Sequence, residues 1–226
     1  GKVVLFGVGA SNFLTRVSLR QKMLLSRILH KEYKHSTRDS TALNMVQGLG
    51  LKAMNTGCPT MWNFDKTLDF KPTTKNTACF SLTHYKKCPT DRIFIKTLEN
   101  IYKNLVFWPQ QIKDIDYLKS LTNIAKIQLL PPNLISYEEF LQKNDCDVIG
   151  SRLHGGIHAL KYGRRAIVIA VDNRAHDIGM ETSLPVISRK NLIDNLNDVL
   201  KVNLSIDFST QQKYGNIFLD QFSDLS

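Results

Sequence analysis

No stretch of this sequence approaches the roughly 20 consecutive apolar residues that a membrane-spanning helix needs, which argues against a helical integral membrane protein. The opening residues, GKVVLFGVG, form too short and too glycine-broken an apolar run for a secretory leader. The chain is therefore expected in the cytoplasm. Cysteine is sparse: Cys58, Cys79, Cys88 and Cys146 are spaced by 21, 9 and 58 residues, which fits neither a zinc ribbon nor a CxxC redox pair. Reduced, mostly buried thiols are expected. Acidic residues are scarce where basic ones cluster: from Arg16 to Arg38 the chain carries Arg16, Arg20, Lys22, Arg27, Lys31, Lys34 and Arg38 against Glu32 alone. That run is a solvated helix face or a patch for a membrane surface or acidic polymer. Internal repeats and low-complexity segments are absent.

Two partial motifs lack the residues that would complete them. Gly7-x-Gly9 begins like a dinucleotide fingerprint, but Ala10, Ser11 and Asn12 supply no third glycine, and no acidic residue follows at the required distance; a tight turn is the plainer reading. His154 and His158 are four apart on one predicted helix, but the HExxH glutamate is missing, so no metal site is expected.

What is present is a globular composition, 42% hydrophobic and 22% charged, with a net charge of +10. The charge favours anionic partners: phosphorylated metabolites, anionic lipid or nucleic acid. Apolar periodicity alternates between strand-like and helical. Residues 3–9 read as a strand and 17–30 as a helix. A helix capped by Asp39 or Ser40 and ended by Gly48 and Gly50 precedes a strand over 51–55. Residues 66–76, polar and containing Pro72, read as a linker. Beyond it, strands are predicted at 77–82, 105–108, 125–130, 147–151, 166–171 and 186–187. Helices are predicted at 91–104 and 112–120, after a Ser136/Glu139 capping box, near His154, Arg174 and Asn191, and over 210–222. AIVIAV is apolar on both faces, as in a parallel strand between helix layers. The expected fold is α/β, with two Rossmann-like lobes of right-handed crossovers and ligands at the carboxyl ends of the strands.

Those ends carry the chemistry. GSRLHGG (150–156) lies where a strand gives way to a helix, whose free N–H groups and partial positive charge face the turn. Arg152 offers a forked donor to phosphate or carboxylate, and His154 an imidazole that moves protons near neutral pH. Gly155 and Gly156 leave room for a ligand or another backbone. A purely structural role, capping carbonyls and bonding loops, is the competing reading. Val171-Asp172-Asn173-Arg174 and Ser36-Thr37-Arg38-Asp39-Ser40 place two further arginines at strand-to-helix turns. Asp172 orients Arg174 or the acceptor, or caps its helix. Cys58 has no nearby histidine and reads as structural; Trp62 and Trp108 read as core or sugar-stacking aromatics.

In order, STRDSTALNMVQGLGLKAMNTGCPTMW and CDVIGSRLHGGIHALKYGRRAIVIAVDNRAHD resemble the polysaccharide pyruvyl transferase family, and the similarity runs over most of the chain from Val3. The resemblance implies a GT-B-like fold and transfer of the enolpyruvyl group of phosphoenolpyruvate to saccharide hydroxyls as a pyruvate ketal, in exopolysaccharide, capsule or cell-wall glycan biosynthesis. It implies His154 and Arg152 as catalytic residues, and Arg38, Arg174, Ser151, Gly155 and Asp172 as substrate-binding ones. No metal and no cofactor is implied; phosphoenolpyruvate is the donor substrate. The implied partners are a saccharide acceptor, free or lipid-linked, and an anionic membrane at whose inner face the protein is peripheral; no nucleic acid is implied. Three parts follow: 1–66, a partial acceptor-side lobe; 67–208, the donor-side lobe; and 209–226, a helix returning to the first lobe. Members of the family carry more of the first lobe ahead of VVLFGVG, so a truncated N-terminal lobe is expected. A nucleotide-sugar glycosyltransferase and a non-catalytic binding lobe are the alternatives on this fold.

Overall fold

The computed structural model describes residues 1–10, 18–64, 67–171 and 173–225, the side chains of 173, 174 and 225 excepted. It comprises two compact units, Gly1–Thr67 with Asp207–Ser226, and Leu68–Ile206.

In the first unit, helix α1 (Leu19–Ile28) starts at a Ser18/Gln21 capping box. Strand β1 (His35–Thr37), helix α2 (Ser40–Gln47) and strand β2 (Ala53–Asn55) follow, with β1 and β2 parallel. Asp39 caps α2, its side chain accepting from Ala42 N at 2.8 Å. The strand predicted over 3–9 is not a regular strand: its ladder pairing is confined to isolated bridges, Val3 with Leu29 and Val8 with Thr37. The reason is local. Gly7 sits at φ +60°, and β1 side chains replace main-chain acceptors: Leu5 N–H bonds to His35 Nδ1 and Gly7 N–H to Ser36 Oγ. Burial lowers the His35 pKa, which suits a neutral ring that accepts at Nδ1 and donates from Nε2 to the His30 carbonyl.

The second unit begins with β3 (Leu68–Phe70), inside the predicted linker. This strand pairs antiparallel with β10 (Leu204–Ile206), which the sequence reading did not anticipate. Three-residue strands of this kind carry too few alternations to be legible. The main sheet contains β4 (Thr77–Ser81), β5 (Asn104–Phe107), β6 (Ile127–Leu129), β7 (Asp147–Gly150), β8 (Ala166–Ala170) and β9 (Val186–Ser188). Its order is β6-β5-β4-β7-β8-β9, every pairing parallel. Helices α3 (Thr90–Ile101), α4 (Ile112–Leu121), α5 (Leu134–Lys143), α6 (Leu153–Lys161) and α7 (Asn173–Thr182) connect successive strands, and α8 (Leu192–Lys201) leads to β10. The first two residues of the predicted strand over 125–130 belong to a 3-10 turn (Ile124–Lys126). The cap of α5 is Asn133, not Ser136: Asn133 is extended and its side chain accepts from Ser136 N.

Helices cover both faces of the sheet, which explains the unbroken apolar runs. On one face Phe80, Phe107, Ile149 and Ile167 pack with Phe94, Leu98 and Leu118 from α3 and α4 and Leu196 from α8. On the other, Cys79, Val106 and Val148 pack with Tyr137 and Leu141 from α5 and Ala159 from α6. Neighbours along each strand thus serve opposite cores. Trp108 belongs to the second: it stacks on Tyr137 at 3.8 Å and donates to Asn133 O. None of the cysteines is in a disulfide, and Cys58, Cys79 and Cys146 are buried.

The chain ends on α9 (Ser209–Leu219), part of the first unit, where Phe218 and Trp62 pack together. Gly215 admits the Trp62 indole, which a Cβ would meet at 2.5 Å. Among the described residues, no helix is long and apolar enough to cross a membrane.

Candidate active site

The strand order reverses between β4 and β7, and at such a switch point the loops leaving the two strands diverge and open a crevice. Gly150 lets the strands close there. A Cβ on it would lie 2.4 Å from Ser81 Oγ and 2.5 Å from the Ser81 carbonyl oxygen, so only glycine permits the approach. Past it, Ser151 N–H bonds to Ser81 O, and Ser151 Oγ lies 2.9 Å from Thr83 Oγ1.

Arg152 is the N-cap residue of α6 and turns its side chain inward, where it is only 8% exposed. Nε donates to Leu82 O at 3.3 Å, Nη1 to the Tyr85 hydroxyl at 3.1 Å and Nη2 to Asp114 Oδ2 at 2.6 Å. Asp114, in the first turn of α4, is fully buried. Its Oδ1 also accepts from His84 N and Nδ1, and its Oδ2 from Gln110 N and Gln111 N. Burial pushes this carboxyl up, but the His84 backbone and ring donors and Arg152 outweigh burial, so its pKa falls below the ordinary carboxylate value. It is anionic at neutral pH.

Over this network lies a pocket of about 210 Å³ lined by Thr83, Tyr85, Lys86, Gln110, Ser151, Arg152 and His154, with Ile169, Val171 and Ala175 on its apolar side. It falls short of the roughly 300–1,000 Å³ of drug-sized sites and suits a compact metabolite. The first turn of α6 supplies N–H groups without intrahelical partners at the positive end of the helix. Arg152, Lys86, the His154 imidazole and a helix N-terminus thus share one small pocket, a set of groups complementary to an anionic ligand.

The sequence profile of the polysaccharide pyruvyl transferase family matches residues 1–173. The chain belongs to that family. It is a transferase of the pyruvyltransferase kind, with a pyruvyl donor and a saccharide acceptor. The fold agrees with the GT-B-like expectation. The UDP-GlcNAc 2-epimerase of Methanocaldococcus jannaschii, solved with UDP-GlcNAc and UDP, aligns with a TM-score of 0.53 over 89% of this chain and 72% of the epimerase. At 11% identity that likeness is one of fold. No curated protein matches this pyruvyl transferase family member.

Of the residues the sequence singled out in this family member, Ser151, Arg152 and His154 meet at the one pocket. Gly155 is buried at the same turn, where a Cβ would approach Trp108 Cζ3 to 3.0 Å, so its missing side chain serves packing. Arg38 lies in the first unit after β1, bonded through its N–H to Val8 O; its Nε is buried and has no partner among the described residues. Asp172 and the Arg174 side chain lie outside the described residues. His158 bonds to Glu138 Oε1 at 2.9 Å. The sequence reading missed Asp114, His84, Tyr85, Lys86 and Gln110. Asp114 carried a usable signal, an acid in the first turn of a helix after a strand; its bond to a residue 38 positions on did not.

Proposed function

We propose that this pyruvyl transferase uses phosphoenolpyruvate as donor and closes a ketal across two hydroxyls of a saccharide in glycan biosynthesis, needing neither metal nor cofactor. The observation that carries the proposal is the placement of Arg152, Lys86 and His154 around one compact pocket at the start of α6. Phosphoenolpyruvate brings a carboxylate and a phosphate, and the guanidinium and helix N–H groups meet them through charge-assisted bonds. His154 delivers a proton to the methylene carbon as the first sugar hydroxyl adds to C2. The C2–O bond to phosphate then breaks with its electron pair leaving on phosphate, the negative charge being met by Arg152 and the helix terminus. The second hydroxyl adds to C2. Of the two hydroxyl protons, one replaces the proton His154 gave to the methyl group and the other leaves with phosphate. In this reading the second unit serves the donor and the first the acceptor, and Arg38 in the first and Arg174 and Asp172 in the second are further substrate-binding residues.

Calorimetry on the full chain tests the donor. Phosphoenolpyruvate should bind and a uridine diphosphate sugar should not, and Arg152→Ala should weaken phosphoenolpyruvate by about ten- to a hundredfold, the worth of one or two charge-assisted bonds. Binding of the nucleotide sugar alone would transfer the chain to glycosyl chemistry, and binding of neither would leave it a non-catalytic lobe.

Peripheral contact with anionic lipid belongs to the same proposal. No residue of α1 is buried; Leu19, Met23, Leu24 and Ile28 are exposed, on a helix that also carries Arg20, Lys22 and Arg27. The chain should sediment with phosphatidylserine vesicles, release as salt rises, and ignore phosphatidylcholine vesicles. Equal binding to both would discard the electrostatic contact.

A further inference from the structure

Arg152 lines the proposed donor pocket, yet much of its hydrogen-bonding capacity is committed before any ligand arrives. A guanidinium carries five N–H groups. Leu82 O, Tyr85 Oη and Asp114 Oδ2 engage three of them, one on each nitrogen, so among the described residues one N–H on each terminal nitrogen is left without a partner. Which way that remaining pair faces depends on which anchor holds the guanidinium.

The anchors are unequal. The Leu82 bond is long at 3.3 Å, and Tyr85 is a neutral phenol on a residue 60% exposed. Asp114 is an ion pair at 2.6 Å, with its own side chain fully buried. Charge-assisted bonds are roughly twice as strong as neutral ones. Asp114 is also immobile, since the remaining four of its accepted bonds come from His84 N, His84 Nδ1, Gln110 N and Gln111 N. These donors belong to the loops after β4 and β5, while Arg152 follows β7. One carboxylate therefore ties together the three loops that surround the switch point.

We infer that Asp114 is the positioning residue for Arg152, holding the guanidinium so that its two unengaged N–H groups are presented as a fixed pair to the carboxylate or phosphate of the donor. The inference rests on the reading of the pocket as a phosphoenolpyruvate site. It also sets a sign. Removing the carboxylate frees a positive charge, which by itself would tighten an anion. Against this, a guanidinium without its strongest anchor must be ordered by the ligand, and its bonds lose direction. Arg152 is only 8% exposed, so the freed guanidinium cannot rest in water and settles on other acceptors of the protein, and the loss of direction dominates.

Titration of phosphoenolpyruvate into the full chain, Asp114→Asn, Arg152→Lys and the double variant tests this. Asp114→Asn should weaken binding about tenfold, the value of one charge-assisted bond. In the Arg152→Lys background the same change should matter less than about twofold, because Asp114 acts through the fork that lysine lacks. Unchanged or tighter binding by Asp114→Asn, or an equal loss in both backgrounds, overturns the assignment while leaving the donor reading intact. A wild-type chain that does not bind phosphoenolpyruvate overturns both. Should Asp114→Asn fail to fold, nitrogen-15 spectra of the wild-type guanidinium groups, assigned through Arg152→Lys, decide the matter. Arg152 should show restricted rotation before ligand is added, and free rotation there rejects the role.

Discussion

His154→Ala should keep phosphoenolpyruvate bound within a few-fold of wild type while phosphate release in the presence of acceptor falls by about 10²–10⁴-fold, the usual contribution of a general acid. The split follows from the layout of the pocket. In the proposed site the anion contacts come from Arg152, Lys86 and the first turn of α6, and none of these is altered by shortening His154. The neighbouring carboxylate, Asp114, is no competing source of the proton for the methylene carbon, since it is buried beneath Arg152 and is held ionised. Turnover in deuterated water adds a second reading: wild-type product should carry one deuterium in the ketal methyl group. A variant that binds donor and turns over at wild-type rate would remove His154 from the mechanism, and parallel loss of binding and rate would make it a binding group.

The second large effect lies at the opposite end of the same strand. Asp147 opens β7, is fully buried, and accepts from the Tyr102 hydroxyl at 2.7 Å and from Thr73 Oγ1. Its other oxygen, Oδ1, is buried with no partner among the described residues. Arg165, also buried, donates to Lys71 O, Leu200 O and Val199 O, so it binds the last carbonyls of α8 where a cation is favoured. Burial lowers the Arg165 pKa and the charge of Asp147 opposes that shift. Burial first, then the Asp147 charge and hydrogen bond, raise Tyr102, which keeps the phenol protonated as donor. Asp147→Ala therefore leaves the Tyr102 and Thr73 hydroxyls without their buried carboxylate and removes the charge that offsets the burial of Arg165. It should cost about 3–5 kcal/mol in urea unfolding, the loss of two charge-assisted bonds, against about 1.5–2 kcal/mol for Tyr102→Phe, which removes one of them. Donor affinity of the folded variant should be unchanged, since Asp147 is at the amino end of the sheet. A loss near 1 kcal/mol for Asp147→Ala would mean that water or relaxation satisfies these groups.

Asp147 and Arg152 stand five positions apart in CDVIGSRLHGG, and the sequence treats them alike, as charged residues flanking an apolar run. Parallel pairing separates them: β7 carries Asp147 beside Ala78 at one end of β4 and Gly150 beside Ser81 at the other. Polarity along the chain was legible, and with it the expectation that chemistry follows the carboxyl end. The helices were legible for a similar reason. Residues 112–120 were predicted as a helix and Ile112–Leu121 forms one, because apolar side chains must recur every three to four positions to reach a core on one side. The segment 3–9 failed because an apolar run says nothing about whether backbone or side-chain atoms will receive its N–H groups, and His35 and Ser36 took two of them. β3 and β10 failed because a three-residue strand is defined by its partner, here more than 130 positions away in Leu68↔Ile206.

By itself, then, the sequence determined the alternation of strands and helices, the parallel sheet buried on both faces, and the turn that carries Arg152 and His154, since each is written in local periodicity and in residue chemistry. The tertiary structure decided what that arginine is attached to. Asp114, Tyr85 and the Leu82 carbonyl converge on it from loops after other strands, and a contact between distant segments depends on strand order, which periodicity does not encode.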